Sequence, residues 1–561
     1  MSAPHDSDRL QWLQRFLEMV PGIISWAIII GPIWLSFSYP WLVAYFVLSF
    51  DFYWLCRALW FAGAVIVAFG RIRHVLRVDW RRRLEALHDP AARREELLRR
   101  LAALSRQPAP GALGFAAGAA ARIRLDGRAA AERRLIEREL ADLERLDELA
   151  EPPPDFREYY HLALIPTYTE PLEKLRATVR ALVEADWPKG RKICAIITRE
   201  TDEAGRANVA ALREEFGHAF AEFIHILDPL EPGIVIGKSS AMAFGGRYVY
   251  RLLVRERGMD ARRILVTDLD ADYRVHPQYF TYLTWVHLTD ANRETQLYQP
   301  IPYFHNNLWQ APFLQRLFAA VLTQLQMWRS VLPEKLQSFG SYSTTLHLIH
   351  DVGYWATDAI PEDSRFYWKS YFRYGDRFRA VPLFIPIYGD AVRARTYWRS
   401  MAQQYLQARR WAWGVTDIPY VVRNVLEHGE ISLASRVWRL LNLFGEHVNW
   451  AIAPFVVMFG ATIPLIINPA FGETILGQNL PFYASTMLTI GLVALAVLIW
   501  VEHHIVPPRP ADWGPIRRAL VYVQWLGLPF VGIFFSNLPA LDAQTRLLTG
   551  RYLEYRVTEK A

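Results

Sequence analysis

The stretch Ile264-Leu-Val-Thr-Asp-Leu-Asp-Ala-Asp-Tyr273 places three aspartates at alternate positions. Its first four residues predict a buried strand, and Asp270 and Asp272 then form an Asp-x-Asp just past the strand end. Carboxylate oxygens are hard ligands, suited to a divalent cation that also holds phosphate oxygens. We therefore predict a metal site at Asp270 and Asp272. An acidic turn exposed to solvent is the alternative.

Two further stretches have residue types that suit a nucleotide. Gly237-Lys-Ser-Ser-Ala241 opens a predicted helix, where Lys238 offers a point charge to a diphosphate and the helix N-terminus favours anions. The Walker spacing is missing, and a capped helix is the alternative. Pro166-Thr-Tyr-Thr-Glu170 follows the first predicted strand. There Tyr168 is expected against a nucleobase and Glu170 near the nucleoside, unless the stretch is an ordinary strand-to-helix turn.

Two more stretches suit an acceptor. Ile360-Pro-Glu-Asp-Ser364 supplies the carboxylates Glu362 and Asp363, either of which could take a proton from an attacking hydroxyl. A pair of acids at a helix N-terminus is the alternative.

Gln407-Ala-Arg-Arg-Trp411 is predicted to be helical, so Gln407 and Trp411 share one face. Trp411 offers a flat ring to a sugar, and Arg410 offers a fork to phosphate. An amphipathic helix that only packs on its domain is the alternative.

An alternation of strands and helices positions these stretches. It predicts a mostly parallel sheet whose ligands bind at the carboxyl ends of the strands, where the Asp-x-Asp lies. The predicted strands are Tyr160–Ile165, Lys192–Thr198, Phe223–Leu227 and Ile264–Asp268, and the predicted helices are Glu173–Ala185, Ala207–Phe216 and Ser239–Arg255.

Composition indicates a soluble domain combined with membrane helices. The chain has 561 residues, 52% of them hydrophobic, with 21 Trp and a net charge of +7. Its basic residues cluster beside apolar runs, which indicates membrane-flanking charge and no nucleic-acid partner. Two cysteines exclude a disulfide framework and a cysteine-rich metal site.

The apolar runs predict a multi-pass protein in the inner (plasma) membrane. Spans are expected at Pro21–Phe37, 42–68, Asn449–Phe471 and Phe482–Trp500. The second contains Asp51 and Arg57, which should face protein or water. Arginines between residues 71 and 83 predict a cytoplasmic catalytic domain. The stretch Ala519–Leu541 contains Pro529 and Pro539, and we expect it to be interfacial or re-entrant, with a full crossing as the alternative.

Five regions result from this division of the chain. They are two membrane helices with an amphipathic lead (1–70), a charged helical hairpin and linker (71–154), a catalytic domain (155–430), an interface helix with two spans and an interfacial segment (431–541), and a C-terminal tail (542–561).

Together these motifs resemble the membrane-bound family 2 glycosyltransferases, the group that contains bacterial cellulose synthase, hyaluronan synthase and chitin synthase. The resemblance covers residues 158–420 and the flanking spans. It implies a GT-A fold, a nucleotide-sugar donor and Mg²⁺ or Mn²⁺ at Asp270 and Asp272. Asp363 takes the base position of the family's Thr-Glu-Asp, with Pro361 in place of Thr.

The resemblance extends to two more motifs. Gln407, Arg410 and Trp411 match Gln-x-x-Arg-Trp, which holds the acceptor end and the diphosphate. Tyr555-Arg-Val-Thr-Glu-Lys560 is similar to the gating loop of cellulose synthases, which implies that Thr558 and Lys560 contact the bound donor.

The chain also departs from the family pattern. Thr198-Arg-Glu-Thr-Asp202 stands where the family has Asp-Asp-Gly-Ser, so Glu200 or Asp202 is expected to replace the nucleobase contact. Ala408 stands where processive members mostly carry Gln or Arg.

The resulting prediction is an inverting glycosyltransferase that uses a UDP-sugar or similar donor at the cytoplasmic face and extends a polysaccharide or glycolipid. A homo-oligomer or an export partner is open. The alternatives are non-processive transfer to polyprenyl phosphate or another lipid, and an inactive scaffold or transport subunit.

Overall fold

The computed structural model describes residues 4–106, 117–149, 151–229 and 237–553. Within them one sheet has the strand order β3-β2-β1-β4-β7-β6-β8-β5. The strands are β1 Tyr160–Pro166, β2 Lys192–Arg199, β3 Glu222–Asp228, β4 Ile264–Asp268, β5 Arg274–Val275, β6 Leu297–Tyr303, β7 Tyr342–Thr345 and β8 Ala380–Tyr388.

The first half of the sheet is parallel, as predicted. Leu162 of β1 pairs with Ile193 of β2 and with Val266 of β4, and all these side chains are buried. The second half departs from the prediction in part: β6 pairs parallel with β8, but β7 runs antiparallel to β4 and β6, and β5 runs antiparallel to β8. The sheet is therefore mixed. The carboxyl ends of β1 and β4 still meet at one edge, below the Asp-x-Asp.

Helices cover both faces of this sheet. They are α6 Leu172–Glu184, α7 Glu203–Phe216, α8 Lys238–Val249, α9 Tyr279–Leu288, α10 Phe313–Val331, α11 Leu346–Asp351, α12 Glu362–Tyr374, α13 Tyr397–Ala412 and α14 Asp417–Glu427. The predicted helix Ser239–Arg255 changes to a π-helical turn at Tyr250–Glu256. The N-termini of α8 and α12 point to the edge where β1 and β4 end, so Lys238 and Glu362 arrive there together.

Helices at both ends of the chain surround the domain. The N-terminal ones are α1 Pro4–Ser38, α2 Pro40–Val75, α3 Trp80–Ala86, α4 Pro90–Arg106 and α5 Ala117–Leu146. The C-terminal ones are α15 Leu433–Phe459, α16 Ile463–Ile467, α17 Pro469–Gly472, α18 Ile475–Ile505, α19 Pro515–Val523, α20 Leu528–Gly532 and α21 Leu538–Leu548.

Four stretches among the described residues are long and apolar enough to cross a membrane: Gln11–Ser38, Pro40–Val75, Ile475–Ile505 and Pro515–Leu548. The span expected at Asn449–Phe471 is not one helix. Helix α15 ends at Phe459, and two short helices follow it. The absence of charged residues shows that this stretch is apolar, but it does not show that the stretch is one helix. New helices begin at Ile463, which is followed by Pro464, and at Pro469.

The predicted charged hairpin is formed by α4 and α5. Arg93 donates to Glu139 at 2.7 Å, and Arg100 donates to Glu132 at 2.8 Å. The residue numbers of the paired side chains rise along α4 and fall along α5, so the two helices are antiparallel.

The segment 515–548 is helical with two irregular turns, a 3₁₀ turn at Gln524–Gly527 and a π turn at Ile533–Asn537. Just before it, the ring of Trp513 lies 5.3 Å from that of Trp309, in the loop between β6 and α10. Just after it, the ring of Tyr552 lies 6.5 Å from that of Trp413. Both ends of this segment therefore contact the catalytic domain.

Candidate active site

The ammonium of Lys238 is the centre of the site. Its Nζ lies 2.6 Å from Asp270 Oδ1, 3.1 Å from Asp268 Oδ1 and 3.1 Å from Glu362 Oε1. It also donates to the carbonyl of Gly340 at 3.3 Å. Strand β4 with the loop after it, the start of α12 and the loop before β7 therefore bring three carboxylates and one carbonyl oxygen onto the single cation of α8.

Negative charge outweighs positive charge at this point. Asp268 is 1% exposed, and neither of its carboxylate oxygens accepts a hydrogen bond from a described residue, although Lys238 pairs with it. Burial raises the pKa of Asp268 well above its usual range. Burial alone lowers the pKa of Lys238, but the three carboxylates outweigh it and raise that pKa above its ordinary value. The cluster can accept additional positive charge.

Asp363 is held by two backbone amides. Gly340 N donates to Asp363 Oδ2 at 2.8 Å, and Ser364 N donates to Asp363 Oδ1 at 2.8 Å. Burial raises the pKa of Asp363 to about 7, with a further contribution from the Glu362 carboxylate, against the amide hydrogen bonds and Lys238. A carboxylate with this pKa suits general base catalysis near neutral pH.

Gly340 connects the base to the cation. Its φ is +63°, in the left-handed region that favours glycine. In this conformation its N–H faces Asp363 while its carbonyl faces Lys238.

Asp272 accepts from Asp390 N at 3.4 Å. In the described part of the chain, no three His, Cys, Asp or Glu side chains are grouped so that they could hold a metal alone. The donor set still fits a cation such as Mg²⁺, which is typically bound by one or two carboxylates plus substrate phosphates. Asp270 and Asp272 would hold such an ion, with the remaining ligands coming from a diphosphate and water.

The loop after β1 lies beside this centre. Tyr168 is half exposed and lines the cavity, so its ring is accessible for stacking against a nucleobase. Glu170 Oε2 accepts from Thr167 Oγ1 at 2.9 Å and from Tyr168 N at 2.7 Å. Glu170 therefore fixes the shape of its own loop, and its direct contact with a nucleoside stays a prediction.

The residues after β2 differ from the expected arrangement. Asp202 caps α7 by accepting from Gly205 N at 2.9 Å, and Glu200 is exposed. Neither lines the cavity, but Arg199 does. Arg199 pairs with buried Asp228 and donates to Ser240 Oγ at 3.1 Å. The fold therefore does not bring Glu200 or Asp202 to the lining of the candidate site.

Helix α13 supplies the predicted platform. Gln407 is buried and accepts from Gln404 Nε2 at 3.2 Å. The ring of Trp411 stacks on that of Phe318 of α10, with 6.2 Å between centroids and 11° between planes. Gln407, Arg410 and Trp411 all line the same cavity as the carboxylates. The predicted Gln-x-x-Arg-Trp residues are thus brought together with the Asp-x-Asp.

This cavity has a volume of about 2110 Å³ and continues beyond the carboxylates. It passes between α2, α10 and α15 and the segment 528–536. One cavity therefore joins the polar centre of the sheet edge to the apolar helices.

The last described residue, Leu553, also lines the cavity. Thr558 and Lys560 lie outside the described residues.

The motifs do not predict three residues that lie at this centre. Asp268 ends the predicted strand, but its alternation with Asp270 and Asp272 indicates that it could reach the same place. Gly340 and Arg199 carry no motif of their own, and only the fold brings them to Lys238 and Ser240.

Residues 265–501 match the family model described as Glycosyl transferase family group 2. That range contains the Asp-x-Asp, Asp363 and the Gln407–Trp411 stretch. No curated protein sequence matches the chain.

Solved structures give weak similarity. The mannosyltransferase PcManGT from Pyrobaculum calidifontis, in complex with GDP-Man and Mn²⁺, is 13% identical with a TM-score of 0.38, over 74% of this chain and 95% of that one. TarS 1–349 from S. aureus, in complex with UDP, is 12% identical with a TM-score of 0.31, over 71% and 94%.

Proposed function

We propose that this chain, a family 2 glycosyltransferase with a GT-A catalytic domain, transfers a sugar with inversion from a nucleotide donor to a saccharide or glycolipid acceptor at the cytoplasmic face of the inner membrane. The observation that carries this proposal is the single cavity. It joins the carboxylates around Lys238 to Gln407 and Trp411, and then to the apolar helices.

The donor is a nucleotide sugar, with a UDP-sugar as the first candidate. Lys238 at the start of α8 and Arg410 on α13 both line the cavity, which supports a diphosphate site between them once a divalent cation offsets the carboxylates around Lys238. The half-exposed ring of Tyr168 offers a surface on which a base can stack. The excess of carboxylates around Lys238 supports a divalent cation held by Asp270 and Asp272. When bound, that cation neutralises charge on the nucleotide leaving group.

Asp363 acts as the base. Its carboxylate takes the proton of the acceptor hydroxyl as the oxygen attacks the anomeric carbon from the face opposite the nucleotide. The nucleotide leaves with the bonding electrons, and the configuration inverts. The amides of Gly340 and Ser364 fix both carboxylate oxygens, so the base needs little reorganisation.

The acceptor occupies the Trp411 side of the cavity. From there the cavity continues beside α2 and α15, which supports a route for a growing saccharide toward the membrane. Ala408 is fully buried, so its side chain does not contact a polymer in this cavity.

The C-terminal tail is proposed to close over the donor. Leu553 lines the cavity wall, and Thr558 and Lys560 follow within a few residues, each of which spans at most about 3.6 Å when extended. Both ends of the segment 515–548 contact the catalytic domain, which supports an interfacial or re-entrant placement and a cytoplasmic tail.

The test is to incubate the purified full chain with a panel of nucleotide sugars and Mg²⁺ or Mn²⁺, and to size the product. A polymer from one donor supports the proposal with processivity, and a short saccharide or glycolipid supports it without. A polyprenyl-linked monosaccharide favours the lipid-acceptor alternative. Absence of both transfer and donor hydrolysis across the panel would favour an inactive scaffold and overturn the proposal.

A further inference from the structure

The cavity has a second polar region, remote from the carboxylate centre. It is formed by Arg57 and Trp54 of α2, Gln326, Trp328 and Arg329 of α10, and Glu446 of α15. Phe318 contacts Trp411 near the start of α10. Arg329 follows eleven residues later on the same helix, so it lies about 16 Å further along the cavity at 1.5 Å per residue. We call these six residues the distal site.

Cations exceed carboxylates at the distal site. Glu446 pairs with Arg329 at 3.2 Å and with Lys335 at 3.3 Å. The guanidinium of Arg57 lies over the rings of Trp54 and Trp328, at 5.1 and 5.2 Å from their centroids. Three cationic side chains thus face one carboxylate.

Other acids near these helices do not balance the charge. Asp51 is six residues before Arg57 on α2, about 9 Å along the axis, and does not line the cavity. Glu502 accepts from Gln324 at 3.4 Å and also lies outside the cavity lining. Glu334 is exposed to solvent. Arg57 is partly buried and donates to Tyr53 Oη at 2.9 Å, while Arg329 and Lys335 share the one carboxylate of Glu446. Among apolar helices such an excess of positive charge favours an anionic ligand.

Unused hydrogen-bonding groups face the same place. Both amide atoms of Gln326, which is 1% exposed, have no hydrogen-bond partner among the described residues. The same holds for Trp54 Nε1 and Arg329 Nε. Buried polar groups are rarely left unpaired, because each costs free energy comparable to a lost hydrogen bond. Unpaired donors and acceptors that line a cavity suit the hydroxyls of a sugar.

We propose that the distal site binds an acidic saccharide, so that the acceptor or product of this enzyme carries carboxylate or phosphate groups on its sugar units. This inference rests on the proposed function, since it assigns the chemical class of the acceptor. Arg57 and Arg329 bind the anionic group, while Gln326 and Trp54 hydrogen-bond to hydroxyls. An acyl or polyprenyl chain would leave those hydrogen-bonding groups unpaired, which favours a saccharide over a lipid.

The test is calorimetric titration of the purified full chain in detergent with tetragalacturonic acid and tetraglucuronic acid. The fully methyl-esterified form of each is the matched neutral probe. At least one acid should bind about tenfold or more tightly than its ester, because only the acid forms charge-assisted hydrogen bonds with Arg57 and Arg329. The double variant Arg57→Gln/Arg329→Gln should bind acid and ester equally. Equal binding of acid and ester to the unmodified protein would overturn the proposal.

Three controls separate this result from other causes. Arg57→Lys/Arg329→Lys should keep the preference for acid, whereas a merely structural role would lose it. Arg99→Gln removes an exposed arginine of α4 and should change nothing. If undecaprenyl phosphate binds in place of the acids, and that binding is lost in the glutamine double variant, the ligand is a lipid phosphate and the saccharide assignment is wrong.

UDP binding and donor hydrolysis are measured on the same preparation. If both are present while neither acid is preferred, only the distal-site inference fails. If UDP and the rest of the nucleotide panel neither bind nor react, the proposed function fails first.

Discussion

Asp363 combines burial, a neighbouring acid and two amide hydrogen bonds, and their balance sets the pH at which it can accept a proton. Burial, followed by Glu362, raises its pKa to about 7. Below that pH the carboxyl is protonated and cannot act as a base. Turnover at saturating donor should therefore rise about tenfold per pH unit below 7 and level off above it.

The measurement is the pH profile of turnover, with donor binding followed over the same range. Asp363→Asn should give a low and flat profile. A wild-type rate that is already constant from about pH 5 upward would contradict the assignment of Asp363 as the base.

Gly340 gives a second prediction at this scale. Alanine at φ +63° is strained by about 1–2 kcal/mol, and relief of that strain moves the N–H away from Asp363. Gly340→Ala should lower turnover by about tenfold or more while donor affinity changes little. The matched control is Gly353→Ala, which has φ +72° but does not line the cavity, and its carbonyl accepts from Lys369 instead of its amide serving Asp363. Equal turnover in the two variants, at equal thermal stability, would show that the amide of Gly340 does not serve the base.

Residue types and spacing selected six residues that the fold brings to one cavity, and their roles there stay predictions. These residues are Lys238, Asp270, Asp363, Gln407, Arg410 and Trp411. The sequence could not predict that Lys238 would pair with Glu362, 124 positions away, because that contact depends on how α8 and α12 meet at the sheet edge. The Arg199–Asp228 pair likewise requires the adjacent registers of β2 and β3.

At the scale of elements, the docking of α21 on α13 links the segment 515–548 to the helix that carries Gln407 and Trp411, the proposed acceptor platform. Asp542 accepts from Arg409 Nη1 at 2.9 Å and from Tyr405 Oη at 3.2 Å. Asp542→Ala removes both contacts and should weaken this docking by about 1–3 kcal/mol. Hydrogen exchange of the amides of α13 should become faster by the corresponding factor, and acceptor use should fall more than donor binding.

A surface pair gives the control for that variant. Asp147 pairs with Arg94 at 2.6 Å on the hairpin and is well exposed, so Asp147→Ala should cost little. If Asp542→Ala leaves exchange in α13 unchanged, the two helices are held by apolar packing alone.

Periodicity predicted the elements of the parallel half of the sheet well. The strands β1 to β4 begin and end within about two residues of their predicted positions, because buried β-branched runs between helices are a clear signal. The second half was not predicted, since β5 and β7 are only 2 and 4 residues long and β6 and β8 contain prolines. The break after Phe459 was not predicted, because a stretch without charged residues indicates hydrophobicity but not an unbroken helix.

At the scale of the whole molecule, the catalytic domain and the apolar helices share one cavity, so the donor side and the C-terminal tail should lie on the same side of the membrane. A cysteine in place of Ala561, in a Cys56→Ser background that removes the exposed native thiol, reports this directly. An impermeant thiol reagent should label it in inside-out vesicles and leave it unlabelled in sealed right-side-out vesicles. Labelling from outside would place the tail across the membrane from the donor.

The central claim is that a metal-assisted donor site and a single base act in this cavity. It is tested most directly by measuring donor affinity and turnover together for the wild-type protein and Asp363→Asn, with Mg²⁺ or Mn²⁺ and with excess chelator. The account predicts that Asp363→Asn binds the donor within about twofold of wild type yet turns over about 10² to 10⁴ times more slowly, and that chelator abolishes wild-type turnover. Wild-type turnover that survives the chelator, or an Asp363→Asn variant that transfers sugar at the wild-type rate, would contradict it.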